Sequence, residues 1–353
     1  MIFNVDCETI GNFTIKRFAC FGTIFALLLK VEVEYNRKQN ENNDCKLKKE
    51  DITVMSIREK LTGVFAPLVT PFVNQEIDYG KLKENIQKLN SSKLKGYLCL
   101  GSNGEFRSLT DEEAIKVIKT VAKSKSKDKT LLAGTGRESA WATIEFTKKV
   151  ADFGVDFASV LTPHYFASKM TDEALIKFYT EVADKSPIPI TIYCIPRSAN
   201  GVLISPRAIS ILAQHPNIVG IKDSSKEDIG NYVNAVPKGA EFYVLSGSIN
   251  KFLDGLKKGA IGGVLSMANY LPDLCCEIQE LFNDGKYEEA EKLSNRLCKI
   301  NEKVSGNGGV AAVKVAMNFL GYYGMEPRLP LLPLKEDEIE EIKKVLKGEG
   351  LLS

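Results

Sequence analysis

The sequence predicts an α/β fold, a (β/α)8 TIM barrel followed by a helical C-terminal extension. Two observations predict it. Eight short apolar runs recur along the chain from Gly63 onward, and amphipathic stretches separate them. A strict β-α alternation of about 30 residues per unit implies parallel strands joined by right-handed crossovers. Eight such units fit a closed barrel better than an open sheet.

The apolar runs cover 64–70, 96–101, 130–135, 157–162, 189–194, 218–223, 242–247 and 262–267. Each is rich in Val, Ile, Leu or Phe and poor in charge, as expected of a strand covered on both faces. The stretches 110–124, 139–153, 171–185 and 249–259 carry helical periodicity. Thr110 and Glu113 have the spacing of a capping box, and Thr171 offers a hydroxyl cap. Gly154 and Gly259 stand where a helix should stop. After the eighth run, 272–283, 286–304, 309–320 and 336–346 read as helices. The expected division is a barrel over 56–284 and an extension over 285–353.

Residues 1–55 differ in texture. Residues 18–29 form an apolar run, but a membrane-spanning helix needs about 20 residues. Lys16 and Arg17 before it faintly resemble a signal peptide, while Asp6 and Glu8 argue against a mitochondrial transit peptide. Residues 36–51, rich in Asn, Lys and Glu, read as a disordered linker. The expectation is an N-terminal extension outside the fold of a cytoplasmic protein. A mitochondrial address is the alternative.

Composition excludes several classes. The chain is 44% hydrophobic and 26% charged, the balance of a globular protein. A net charge of +2 leaves no electrostatic footprint for nucleic acid. No nucleic acid or membrane partner is expected. Eight cysteines are scattered without a CxxC pair, and His164 and His215 lack ligand-spaced partners. Neither a metal site nor a disulfide framework is expected.

In a barrel of this kind, chemistry sits at the C-terminal ends of the strands. Strand six carries Lys222 and Asp223 near such an end. Desolvation of an ammonium favours the neutral amine, and a neutral amine attacks a ketone to form an imine. A lysine that snorkels to solvent fits the same position. Tyr193 ends the neighbouring strand five, where a phenol can relay protons to Lys222. A tyrosine that fills the barrel mouth is the alternative. After strand two comes Gly101-Ser102-Asn103-Gly104-Glu105, whose backbone can form an anion nest suited to a carboxylate. It also reads as an ordinary turn, with Glu105 bracing it. Gly247 and Gly263 suit close backbone approach. Asn250 and Asn269 stay open between site and packing.

These motifs carry a resemblance. The chain from about Gly63 to Leu346 resembles the dihydrodipicolinate synthase / N-acetylneuraminate lyase family of class I Schiff-base aldolases. The matching segments are Gly101 to Glu105, Ala133-Gly134-Thr135-Gly136, Thr162-Pro163-His164-Tyr165, Tyr193 with Pro196, Gly220-Ile221-Lys222-Asp223 and Ser246-Gly247-Ser248. The resemblance implies that Lys222 forms the Schiff base and that Tyr193 relays the proton with Ser102. It implies that Ser102 and Asn103 hold the carboxylate, with Gly247 and Ser266 also at the substrate. Tyr165 matches the tyrosine that the family inserts into a neighbouring subunit's site, so a homotetramer, a dimer of dimers, is expected. No cofactor is expected.

Within the family, the Ser-Asn pair after Gly101 resembles the 4-hydroxy-2-oxoglutarate aldolases, which cleave a 2-keto acid to pyruvate and glyoxylate. The synthases place an arginine two residues after the proline of the Tyr193 motif. Here Ser198 stands there, with Arg197 one residue early. Arg197 or Arg137 is a candidate for a distal carboxylate. Ile249 and Asn250 replace the acidic residues of sialic acid lyases. The synthase reaction and a 2-keto-3-deoxy sugar acid aldolase are the enzymatic alternatives. A pyruvate-binding barrel without turnover is the non-enzymatic one.

Overall fold

The computed structural model describes residues 55–306 and 308–352. The apolar run at 18–29 and the polar stretch at 36–51 lie outside the described residues. Eight parallel strands close into a barrel: β1 (Gly63–Pro67), β2 (Gly96–Cys99), β3 (Thr130–Gly134), β4 (Phe157–Leu161), β5 (Ile190–Cys194), β6 (Ile218–Asp223), β7 (Tyr243–Ser246) and β8 (Gly262–Val264). Each strand pairs with its sequence neighbour, and β8 returns to β1. Nearly every strand residue is buried, so inner and outer faces both need apolar side chains.

The helices are α1 (Ile57–Leu61), α2 (Tyr79–Asn90), α3 (Asp111–Ser124), α4 (Ala140–Ala151), α5 (Asp172–Lys185), α6 (Pro206–Leu212), α7 (Gly230–Ala235), α8 (Phe252–Lys257), α9 (Pro272–Asn283), α10 (Tyr287–Val304), α11 (Gly309–Phe319) and α12 (Glu336–Gly348). Caps set their starts. The Thr110 hydroxyl accepts from Glu113 N while the Glu113 carboxylate accepts from Thr110 N, a complete capping box. Thr171 accepts from Ala174 N, as its position predicted. Gly154 and Gly259 follow α4 and α8 with φ of 88° and 103°, a region that favours glycine. No helix among the described residues is long and apolar enough to cross a membrane.

Some ends differ from the sequence reading. β1 stops at Pro67, three residues short of the predicted run. β8 stops at Val264, because Ser266–Asn269 winds into a 3-10 turn. The predicted helix at 249–259 is a 3-10 turn, Ile249–Lys251, followed by α8. A small hairpin pairing Phe72 with Ile77 follows β1, turning through Asn74 and Gln75 at positive φ. Strands of two residues leave no period in the sequence, so this hairpin was not expected.

Seven strands each send one apolar residue into the inner layer: Phe65, Leu98, Leu132, Phe157, Val219, Leu245 and Val264. Leu61 of α1 packs on the same cluster. β6 departs from simple alternation. Its register against β5 shifts between Ile190 and Thr191, which pair with Ile218 and Gly220 and skip Val219. This is a β-bulge. Val219 lies in the inner cluster, yet Ile221, two residues on, packs in the outer layer with α5 and α6. The bulge has reversed the face of everything after it. Lys222 therefore turns inward and pairs in register with Tyr193.

The inner layer is the part of the core least able to relax. Phe157→Ala should cost about 3–5 kcal/mol of unfolding free energy. Urea denaturation measures it, and a loss below about 1 kcal/mol would show that this layer is not load-carrying core.

Candidate active site

Three predicted residues meet above the inner layer. The Lys222 Nζ lies 3.9 Å from the centre of the Tyr193 ring. The Tyr193 hydroxyl lies 3.1 Å from Ser102 Oγ. Lys222 and Tyr193 are 5% and 4% exposed. An ammonium or amine over an aromatic face, a phenol and a hydroxyl thus form one chain, with a proton path from Tyr193 to Ser102.

The chain of groups opens on a cavity of about 750 Å³. Ser102, Asn103, Gly247, Ser266 and Arg197 line it. Lys222 and Tyr193 do not line it; they connect to it through Ser102. Asn103 Nδ2 donates to Ser266 Oγ at 2.9 Å, so the turn after β2 is tied to the turn after β8. A Cβ on Gly247 would collide with Ser224 Oγ and lie 2.7 Å from Asp223 O. Only glycine fits there. A Cβ on Gly263 would press to 2.9 Å on the Phe252 ring. Both glycines serve close approach, as their positions suggested.

Other candidates are placed elsewhere. Tyr165 is 75% exposed, packs edge-to-face on Phe166 and lies outside the cavity wall. Arg137 donates to Asp111 Oδ1 at 2.7 Å and lies on the Phe146 ring. It is not on the cavity wall, so of the two candidate arginines only Arg197 reaches it. Asn269 is a packing residue: its Nδ2 donates to Pro67 O and Ser266 O. Asn250 is on the cavity wall, where its Oδ1 accepts from Asn301 Nδ2.

The turn Ser102–Gly104 is held from behind. Leu100 and Glu105 flank it at φ of 57° and 51°, the left-handed region that costs a non-glycine residue energy. Surrounding contacts must therefore fix it. Glu105 Oε1 lies 2.6 Å from Lys314 Nζ, and both side chains are almost fully buried. Glu105 Oε2 accepts from Arg328 N at 2.8 Å. Lys314 also donates to Thr70 O and Glu326 O, each at 2.8 Å. Thr70 Oγ1 in turn donates to Gly104 O. Burial pushes the Lys314 ammonium below its ordinary pKa, and Glu105 opposes that shift. Glu105 is thus a brace, one of the two readings its position allowed. Sequence reasoning missed Lys314. The signal was there: it is the lone charge in the apolar helix Gly309–Phe319.

Residues 60–349 match the Dihydrodipicolinate synthetase family. The chain is 30% identical over 291 residues to the 4-hydroxy-tetrahydrodipicolinate synthase of Acetivibrio thermocellus, covering 82% of this chain and 98% of the relative. It is 32% identical over 298 residues to the probable mitochondrial 4-hydroxy-2-oxoglutarate aldolase of Emericella nidulans, covering 82% and 95%. A solved dihydrodipicolinate synthase from Acinetobacter baumannii, complexed with pyruvate, superimposes with a TM-score of 0.77 at 28% identity. That match covers 83% of this chain and all of the other.

The brace can be weighed directly. Lys314→Met leaves a buried carboxylate without its cation and should cost about 3–5 kcal/mol. Adding Glu105→Leu should recover part of that loss. Urea unfolding of both single variants and the double variant reads the coupling. Simple additivity would mean that the two groups do not support each other.

Proposed function

The chain belongs to the dihydrodipicolinate synthetase family and is an aldolase/lyase of that family; from this premise we propose that it cleaves 4-hydroxy-2-oxoglutarate to pyruvate and glyoxylate through a Schiff base on Lys222. The observation that carries the reading is the meeting of Lys222, Tyr193 and Ser102, drawn from three separate strand ends.

In this mechanism Lys222 Nζ attacks C2 of the keto acid, and loss of water leaves a protonated imine. The imine withdraws electrons from the C3–C4 bond. Tyr193, coupled to Ser102, takes the proton of the C4 hydroxyl as that bond breaks. Glyoxylate leaves. The remaining enamine is protonated at C3, and water releases pyruvate and the free amine. Ser102 and Asn103 hold the C1 carboxylate from the turn after β2. Arg197 faces the distal carboxylate from the cavity wall. Tyr165 reaches the site of a second copy in a homotetramer. Its exposure beside exposed Phe166 supports that role.

A second reading has support. Relatives named 4-hydroxy-tetrahydrodipicolinate synthase match at the same level of identity as the aldolase. In that reading the same enamine attacks a different aldehyde. Ser198, in the place where the synthases carry arginine, favours the aldolase.

Incubation with pyruvate and borohydride, followed by peptide mass spectrometry, should place a reduced pyruvyl adduct on Lys222. A folded protein with Lys222 unmodified would sink the Schiff-base reading. Tyr193→Phe should keep the adduct and lower kcat by about 10²–10⁴-fold. Among aldehydes offered with pyruvate, glyoxylate should give the highest kcat/KM; preference for aspartate semialdehyde would move the synthase reading to first place.

A further inference from the structure

The cavity wall carries three cations, Arg197, Lys226 and Lys251, and no carboxylate among the described residues. Lys251 is already engaged. Its Nζ lies 3.5 Å from Asp223 Oδ2 and donates to Ser225 O and Glu227 O. Two further bonds tighten the same loop: Ser225 N donates to Asp223 Oδ1 at 2.8 Å, and Glu227 N donates to Ser225 Oγ at 3.2 Å. Lys226 stands in the middle of this fastened loop, four residues after Lys222.

Lys226 itself has no counter-charge. Asp223 faces Lys251, Asp228 pairs with Lys258 at 2.9 Å, and the Glu227 side chain is not on the cavity wall. Among the described residues neither Lys226 nor Arg197 takes part in an ion pair. Cations fixed on a concave wall with no protein anion beside them attract an anion from solution. The carboxylate next to the keto group is assigned to Ser102 and Asn103. The charge of Lys226 is left for a second one.

We infer that Lys226 is a specificity-determining residue that selects 2-keto acids bearing a second carboxylate at the end remote from the keto group. Arg197 shares that task from the same wall. The inference rests on the proposed function for the position of the first carboxylate. It adds a selecting residue on the loop after β6, off the strand ends that supply the trio.

The test compares 2-oxoglutarate with 2-oxopentanoate, which has the same chain length and a methyl group in place of the distal carboxylate. Calorimetry measures the affinity of each for the wild-type protein and for Lys226→Gln and Lys226→Arg. Wild type should prefer 2-oxoglutarate by at least about tenfold. Lys226→Gln should cut that preference roughly fivefold, the upper size of an exposed charge pair, and leave 2-oxopentanoate binding unchanged. Lys226→Arg should restore it. Equal affinity of the wild type for both acids, no binding of either, or an intact preference in Lys226→Gln would overturn the inference. Borohydride trapping on the same samples separates the two claims. A preference lost in Lys226→Gln with no trapped adduct keeps the role of Lys226 and removes the Schiff base. Adducts formed with both acids at equal affinity do the reverse.

Discussion

One skipped residue in β6 sets the site. Side chains alternate faces along a strand, so parity decides what points inward. Val219 points in with the inner layer, and regular alternation would send Ile221 in and Lys222 out among the helices. The bulge reverses the order. Ile221 packs outward, Lys222 turns in, and Tyr193 becomes its partner in register. Without that shift a lysine would face an apolar layer that cannot solvate it, and the phenol would face no amine. The energetic cost of the lost ladder bond is small beside the cost of a buried unpartnered cation.

Much of this fold was legible because it repeats. A strand buried on both faces needs an apolar run, and a helix on its outside needs a stripe. Eight cycles of the same demand leave a strong pattern. The nearness of Lys222 to Tyr193 was legible for a related reason, since polar groups at the ends of neighbouring apolar runs stand out, while the place of Ser102 beside them came only with the family resemblance. The bulge was not legible. Ile218, Val219, Gly220 and Ile221 are all apolar or glycine, so the pattern is the same whether or not a residue is skipped. The hairpin through Asn74 and Gln75 was lost because two-residue strands are too short to show a period. The pairing of Glu105 with Lys314 was lost because no local rule connects residues so far apart, although each is unusual where it stands.

The barrel and the helices after it divide the work. Strand ends supply the trio proposed to react, with Lys222 and Tyr193 almost fully buried. The cavity that gives access to it is finished by Asn301, Ser305, Val310 and Val313 from α10, α11 and the segment joining them. Loops after β5, β6 and β7 supply the charge on its wall. In the proposed mechanism reactivity and selectivity therefore sit on different elements. The first is fixed by the register of the sheet and the second by side chains on loops, which can change without moving a strand.

The bond from Lys314 to Thr70 joins residues 244 apart in sequence. A nascent chain meets its own end late. When β2 and the turn after it have left the ribosome, the helix that carries Lys314 has not yet been made. During that interval Glu105 has no cation, and the turn that carries Ser102 and Asn103 has Thr70 on Gly104 O but lacks the Lys314 part of its brace. The residues of all eight strands are made before those of α11, so a barrel of those strands alone would be unfinished at its mouth. On the proposed mechanism, catalytic competence is then the last property the chain acquires in synthesis, and a polypeptide cut short after β8 would have the trio's residues without the brace on the turn that carries Ser102.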